Sequence, residues 1–540
     1  MTTREFQQQA ITLIDDLKGV CANYGLGNDG NEFKIITQVF LYKFLNDKFA
    51  YEVKRIDPAL ATADSWEEAL ARYSEEEYEM LLIQLGANTA QLRPEHFLAN
   101  LYARQNEENF AKALDATLVS IAALNAGIFS VMTDDGEKIV LFEAVTEYVA
   151  SKRNDFARAL INKLVNFSFE RLFSEKFDFF ATLFEYLIKD YNKDGGGKYA
   201  EYYTPHVVAK IMAACLVTKG VKNVSCYDPS GGSGTLLMNL AHAIGEDKCS
   251  IYSQDISQKS SSLLRLNLIL NKLVHSIPNI IQGNTILHPH HRDESGALRK
   301  FDYTVSNPPF KLDFSDFRAE LDTEANRERF FAGIPKVKPT SKDKMEIYLL
   351  FLQHIIYTLS AKGRAAVVVP TGFVTAQAGI ERKIREHLVA HRMLGGVVSM
   401  PSNIFATTGT NVSILFMDAT NRDKVTLIDA SGLGEKVKDG KNQKTVLRPD
   451  EEEQIIATFN AKEAVEDFSV VVSYEEIAVK NYSFSAGQYF DVKVEHSEIS
   501  ESDFKERVSD HQDRIVSLFE NSRALELEIY AQLKNLSYEK

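Results

Sequence analysis

The sequence predicts an α/β protein: a mostly parallel sheet with helices on both faces, preceded by a helical region and followed by a helical tail. Three observations carry this. Between residues 224 and 417 short β-rich runs alternate with helical segments, the pattern of repeated βα units. Residues 1 to 165 instead show apolar positions at helical spacing, with few alternating runs. From residue 481 onward the chain is charged and carries a single apolar stripe. A length of 540 residues suits two to four domains at roughly 100–200 residues each. The predicted division is 1–165, 166–480 and 481–540.

In the first region Phe33, Ile36, Phe40, Phe44 and Leu45 share a helical face, as do Phe142, Val145 and Val149. A packed helical domain satisfies that pattern without any ligand. Next, FDFFATLFEYLIKD reads as a helix leading to the loop Asp194-Gly195-Gly196-Gly197. The strands then follow. VSCYD (224–228) precedes a helix from Thr235, and CSIYSQD (249–255) precedes a helix from Lys259. NIIQGN (279–284), FDYTVSN (301–307), AAVVVP (365–370), GGVVSM (395–400) and NVSILFM (411–417) complete the set. In the tail Ile515, Leu518, Ser522, Leu525, Ile529 and Leu536 follow a 3/4 spacing, one stripe of a helix.

The composition, 45% hydrophobic and 25% charged, is that of an ordinary globular protein. A net charge of −14 argues against an unaided grip on nucleic acid, which needs clustered Lys and Arg. It leaves room for an enzyme to which a basic partner delivers DNA. Cys21, Cys215, Cys226 and Cys249 form no CxxC pair and read as buried thiols in a reducing compartment. The start, MTTREFQQQA, lacks a signal-peptide pattern. The stretch LVSIAALNAGIFSVM is too short and polar to span a bilayer. A cytoplasmic protein with no membrane partner is expected.

Two constellations carry chemistry. The first is Asp228-Pro229-Ser230-Gly231-Gly232-Ser233-Gly234, between a strand and the helix beginning at Thr235. Glycines there permit a tight turn and close approach of backbone to a ligand. Asp255 ends the next strand, where a carboxylate can accept ribose hydroxyls. These features admit NAD, FAD or S-adenosylmethionine. The sequence lacks GxxxxGK[ST], which speaks against a P-loop NTPase.

The second is Asn307-Pro308-Pro309-Phe310, at the end of the fourth strand of the series. Consecutive prolines rigidify a loop and leave carbonyl acceptors exposed. An Asn amide oxygen and a proline carbonyl can together accept both hydrogens of an NH2 group. Phe310 adds a flat face for a heteroaromatic ring. The loop suits a planar amine.

In this order the motifs resemble those of amino-group DNA methyltransferases of the adenine-N6 class, and more closely those of the modification subunits of type I restriction-modification systems. Glu201-Tyr202-Tyr203-Thr204-Pro205 resembles the family's motif before the first strand, which packs over the methionine end of the cofactor. DPSGGSGTLL (228–237) resembles its cofactor motif, Asp255 its ribose-binding acid, and NPPF (307–310) its catalytic motif. Ile256 follows that acid. Gly283-Asn284-Thr285 stands where the family often has an acid near the cofactor adenine; Asn284 departs from that pattern, although an amide oxygen can also accept a hydrogen bond. ITQVFLYKFLNDKF (36–49), FATLFEYLIKDYNK and Gln488-Tyr489-Phe490-Asp491 extend the resemblance to nearly the whole chain.

The resemblance implies a Rossmann-like methyltransferase core, S-adenosylmethionine as cofactor, no metal, and methyl transfer to a flipped adenine in DNA. It further implies two modification subunits assembled with one DNA-specificity subunit, and a nuclease-translocase subunit completing the restriction complex. The C-terminal helix is the expected docking element. An RNA base or a protein amide as acceptor, or a self-sufficient DNA enzyme, are the alternatives. His288-Pro289-His290-His291 reads as a surface cluster rather than a metal site. Residues 327–344 hold a local excess of cations just after the NPPF loop, either touching DNA phosphates or simply solvated. Asp450 to Glu453 suits the first turn of a helix.

Overall fold

The computed structural model describes residues 3–27, 30–170, 173, 186, 204–405, 411–439, 442–490 and 500–534. The Gly-rich loop at 194–197, and Glu201 and Tyr202, lie outside the described residues. The chain divides into two compact units, Met1–Tyr489 and Phe490–Lys540.

The helices used below are α1 (Thr3–Asn23), α2 (Gly30–Ile56), α3 (Phe110–Leu124), α4 (Arg153–Leu164), α5 (His206–Leu216), α6 (Thr235–Ile244), α7 (Gln258–Leu270), α8 (Tyr348–Thr358) and α9 (Glu501–Lys534). α2 is buried on all sides, as expected of a helix at the centre of a bundle. Even its Lys43 and Asp47 are buried, joined at 2.9 Å. The second Asp47 oxygen accepts the Phe169 N–H at 2.8 Å. Burial pushes this carboxyl up, against the pull of Lys43.

Among the described residues eleven strands form one sheet. They are β1 (Val131–Thr133), β2 (Lys138–Ile139), β3 (Val224–Asp228), β4 (Cys249–Asp255), β5 (Ile280–Gln282), β6 (Phe301–Ser306), β7 (Leu359–Pro370), β8 (Leu394–Ser399), β9 (Val412–Asp418), β10 (Lys424–Asp429) and β13 (Ser469–Ser473); β11 (Glu435–Asp439) and β12 (Asn442–Val446) make a separate hairpin. The order is β13-β10-β8-β9-β7-β6-β3-β4-β5-β1-β2. From β7 to β5 every pairing is parallel, whereas β9 runs antiparallel to both its neighbours.

The β1–β2 hairpin falls inside the stretch whose periodicity predicts helices. β1 pairs with β5 and so extends the sheet. The core is continuous from the N-terminal helices to the sheet: Leu17, Phe40, Leu118 and Leu160 belong to one buried cluster with Ile251, Leu264 and Val305. Arg265 of α7 strengthens this junction by donating to the Ile139 and Val140 carbonyls, each at 2.9 Å.

In the second unit α9 has no buried residue. Phe504 and Val508 continue the stripe of Ile515, Leu518, Leu525 and Ile529 toward its N-terminus, all of them exposed; Leu536 lies outside the described residues. Among the described residues no helix is long and apolar enough to cross a membrane. All four cysteines are buried and free.

Candidate active site

β3 has β4 on one side and β6 on the other. The chain builds outward through β4 and β5, then returns to lay β6 and β7 on the opposite side. The carboxyl ends of β3 and β6 therefore flank a topological switch point, where ligands of open α/β sheets bind. Asp228 ends β3 and Ser306 ends β6. The turn after β3 is tied across this crevice by the Ser230 and Ser306 hydroxyls, 2.7 Å apart.

The Gly turn follows from close packing. A Cβ on Gly231 would lie 2.0 Å from Ser253 Oγ of β4, and one on Gly234 would lie 2.3 Å from Leu264 Cδ1 of α7. Gly234 also has φ of +84° as the residue preceding α6, a conformation natural to glycine. Asp228 is 1% exposed and accepts the Ser230 N–H at 2.9 Å. Burial first, with Asp255 adding, pushes its carboxyl up to about 7. The Asp255 carboxylate accepts Gly232 N–H and Ser257 N–H, each at 2.9 Å. The Pro229 carbonyl accepts the Thr285 hydroxyl at 2.7 Å, while the Ser233 and Thr235 hydroxyls meet at 3.1 Å. Beside them Ile256 is 55% exposed.

Asn284 uses its side chain locally. Its Oδ1 accepts the N–H groups of Ile286 at 3.0 Å and Leu287 at 3.1 Å.

Asn307, just past β6, is half-buried. Its Nδ2 donates to Thr204 Oγ1 at 3.1 Å, and Pro205 then precedes α5. Among the described residues no donor reaches Asn307 Oδ1 or the Pro308 carbonyl. Pro309 and Phe310 are half-buried. Phe310 meets Tyr348 of α8 edge-on, with ring centroids 6.2 Å apart.

Arg329 underpins the loop after β5. It donates to the Thr285 and Ile286 carbonyls, each at 2.8 Å, and to His354 Nδ1 at 3.0 Å. Since that ring nitrogen accepts, Nε2 carries the proton and donates to Tyr227 Oη at 3.0 Å. Burial lowers Arg329 to about 10 and holds His354 well below its ordinary value.

A family model for the N-6 DNA Methylase matches residues 175–505. The chain belongs to this family.

Relatives of this chain include the methylase subunit of type I restriction enzyme MpnII from Mycoplasma pneumoniae, 27% identical over 354 residues, 64% of this chain and 63% of that protein. The EcoEI methylase subunit from Escherichia coli is 29% identical over 280 residues, 50% of this chain and 52% of that one. The matches thus span about half to two thirds of these two relatives. The solved type I methyltransferase subunit from Streptococcus thermophilus superposes with a TM-score of 0.72 at 23% identity, covering 91% of this chain and all of that one. A modification subunit of a putative type I restriction enzyme from Vibrio vulnificus gives 0.51 at 18% identity, covering 87% of this chain and 93% of that one. Both likenesses show the fold.

In this chain the described motif residues converge on one face, although they come from five separate stretches of sequence. Of the six cations at 327–344, Arg329 is 3% exposed and spent on carbonyls, while Arg327, Lys336, Lys338, Lys342 and Lys344 are exposed. His291 is not a surface ligand: it packs edge-on against Tyr227 and Tyr252, and burial lowers it to about 4. Among the described residues no cluster of His, Cys, Asp or Glu is arranged to hold a metal. Sequence reasoning missed Ser306 and read Arg329 only as one cation of the 327–344 run.

Proposed function

We propose that the chain is an S-adenosylmethionine-dependent DNA adenine-N6 methyltransferase, the modification subunit of a type I restriction-modification system, acting in the cytoplasm. The observation that carries this is the position of Asn307-Pro308-Pro309-Phe310 across the switch-point crevice from the Asp228–Gly234 turn. The type I methylase subunits among its relatives point to the same activity.

The residues fit an adenosyl ligand. A Cβ on Gly232 would meet its nearest atom only at 3.9 Å, so the turn presents bare backbone to the crevice. Asp255 stands at the end of β4 to accept ribose hydroxyls, and exposed Ile256 offers an apolar face to the base. Thr204 and Pro205, with the turn from Asp228 to Thr235, border the methionine end. S-adenosylmethionine, when bound, would supply a sulfonium methyl for transfer to the amine nitrogen, its S–C bond giving way to a neutral thioether while the amine loses one proton.

The chain's own part is alignment and electrostatics. Asn307 Oδ1 and the Pro308 carbonyl accept the two N–H groups of the target amine. Both hydrogen bonds favour a pyramidal nitrogen, whose lone pair is no longer delocalised into the ring, and disperse the positive charge that develops there. Pro309 keeps the loop rigid. Phe310 stacks on the adenine after it leaves the duplex. The alignment of reacting atoms supplies the rest.

DNA specificity comes from a separate subunit. The exposed apolar stripe of α9 suits docking by a helical partner, and two modification subunits would share one specificity subunit. A nuclease-translocase subunit would complete the restriction complex. The test is transfer of labelled methyl from S-adenosylmethionine to unmethylated plasmid, with the chain alone and with its specificity subunit. Transfer only in the presence of the partner is expected. Transfer by the chain alone, or to RNA or protein in place of DNA, contradicts the proposal.

A further inference from the structure

The β1–β2 hairpin brings a carboxylate to the ligand-facing edge of the sheet. β1 runs parallel to β5, with Met132 opposite Ile281 and Thr133 opposite Gln282. The next residues on the two strands, Asp134 and Gly283, therefore stand side by side. The approach is close enough that a Cβ on Gly283 would lie 2.3 Å from Asp134 Cγ. Glycine is what admits the acid here. Asp134 N–H donates to the Gln282 carbonyl at 2.9 Å, and Asp134 Oδ2 accepts Asn284 N–H at 3.3 Å. Among the described residues that is the one hydrogen bond the carboxylate receives, and the residue is half-buried.

This corner adjoins the end of β4. Gly283 N–H donates to the Asp255 carbonyl at 2.8 Å, and Gln282 Nε2 donates to the Ile256 carbonyl at 2.8 Å. A nucleoside held by its ribose at Asp255 places its base over these strand ends. The exocyclic amine of adenine needs an acceptor there. Asn284 is poorly suited, because its Oδ1 already receives two backbone N–H groups. Asp134 retains acceptor capacity within the same corner.

We propose that Asp134 recognises the adenine amino group of the cofactor, so that a residue from the helical N-terminal region completes the cofactor site and sets its base specificity. The proposal rests on the cofactor reading above. A carboxylate only accepts. It therefore favours an adenosyl ligand and opposes an inosyl one, which presents a carbonyl oxygen at that position.

The test is calorimetric titration of the full chain with S-adenosylhomocysteine and with its deaminated analogue, S-inosylhomocysteine. The wild type is expected to prefer the adenosyl ligand by about tenfold or more, the order of one hydrogen bond to a charged group. Asp134→Ala should bind the adenosyl ligand about tenfold more weakly while holding or improving inosyl binding, so that the preference collapses. Asp134→Asn keeps the shape and adds a donor, and should raise inosyl affinity relative to adenosyl. Equal weakening of both ligands in both variants, or a preference left intact, overturns the role of Asp134. Failure of the wild type to bind S-adenosylhomocysteine at all overturns the cofactor reading itself, and is seen before any variant is compared.

Discussion

Thr204 Oγ1 accepts a 3.1 Å hydrogen bond from Asn307 Nδ2, across 103 residues of sequence. The contact fixes which end of the Asn307 amide faces away from Thr204. With Nδ2 engaged, Oδ1 is the atom turned away from Thr204, the one to which the proposed mechanism assigns a substrate N–H. Thr204→Val should therefore lower kcat by about tenfold to a hundredfold, the equivalent of losing roughly 1–3 kcal/mol of orientation. Thr204→Ser should restore most of the rate. Steady-state kinetics with the assembled enzyme check this; an unchanged kcat in the valine variant contradicts it.

The Gly turn predicts a steric result. Gly234→Ala combines φ of +84° with a Cβ 2.3 Å from Leu264 Cδ1. It should destabilise the protein by about 1–3 kcal/mol and weaken S-adenosylhomocysteine binding. Gly232→Ala has open space around its Cβ and carries only the backbone strain of φ +50°. Thermal melts of the two variants should rank Gly234→Ala well below Gly232→Ala.

Asp228 predicts a pH dependence. Its folded value of about 7 lies above the roughly 3.9 of an unfolded aspartate. The folded state thus holds the proton more tightly, and this contribution to stability is full below about pH 4 and is lost as pH rises through about 7. The Tm of the ligand-free protein should fall between pH 5 and pH 8, and Asp228→Asn should flatten that slope. A wild-type slope unchanged by the substitution contradicts the assignment.

The apolar stripe of α9 predicts dependence on a partner. Leu518→Asp with Leu525→Asp, or removal of residues 495–540, should abolish co-purification with the specificity subunit and leave S-adenosylhomocysteine affinity within about twofold. Undiminished assembly sinks the docking role.

Much of the fold was legible because its signals are local. The strands ending in Asp228, Asp255 and Ser306 are continuous runs, and each motif sits at or just past a strand end as expected. What escaped is non-local. β1 and β2 have three and two residues, too few for a period, and β1 owes its existence to pairing with β5 about 150 positions later. The direction of β9 is not encoded in its apolar pattern, which reads the same parallel or antiparallel. Arg329 stands in a cation-rich run and looks solvated; only the tertiary fold brings two carbonyls and His354 to its guanidinium.

The most direct measurement is the methylated nucleoside formed by the wild type and by Asn307→Ala, each assembled with the specificity subunit and each tested for S-adenosylhomocysteine binding. Mass spectrometry of digested plasmid should show N6-methyladenine with the wild type. With Asn307→Ala it should show none, while ligand affinity persists. Another methylated base, or undiminished N6-methyladenine from the variant, would contradict the account.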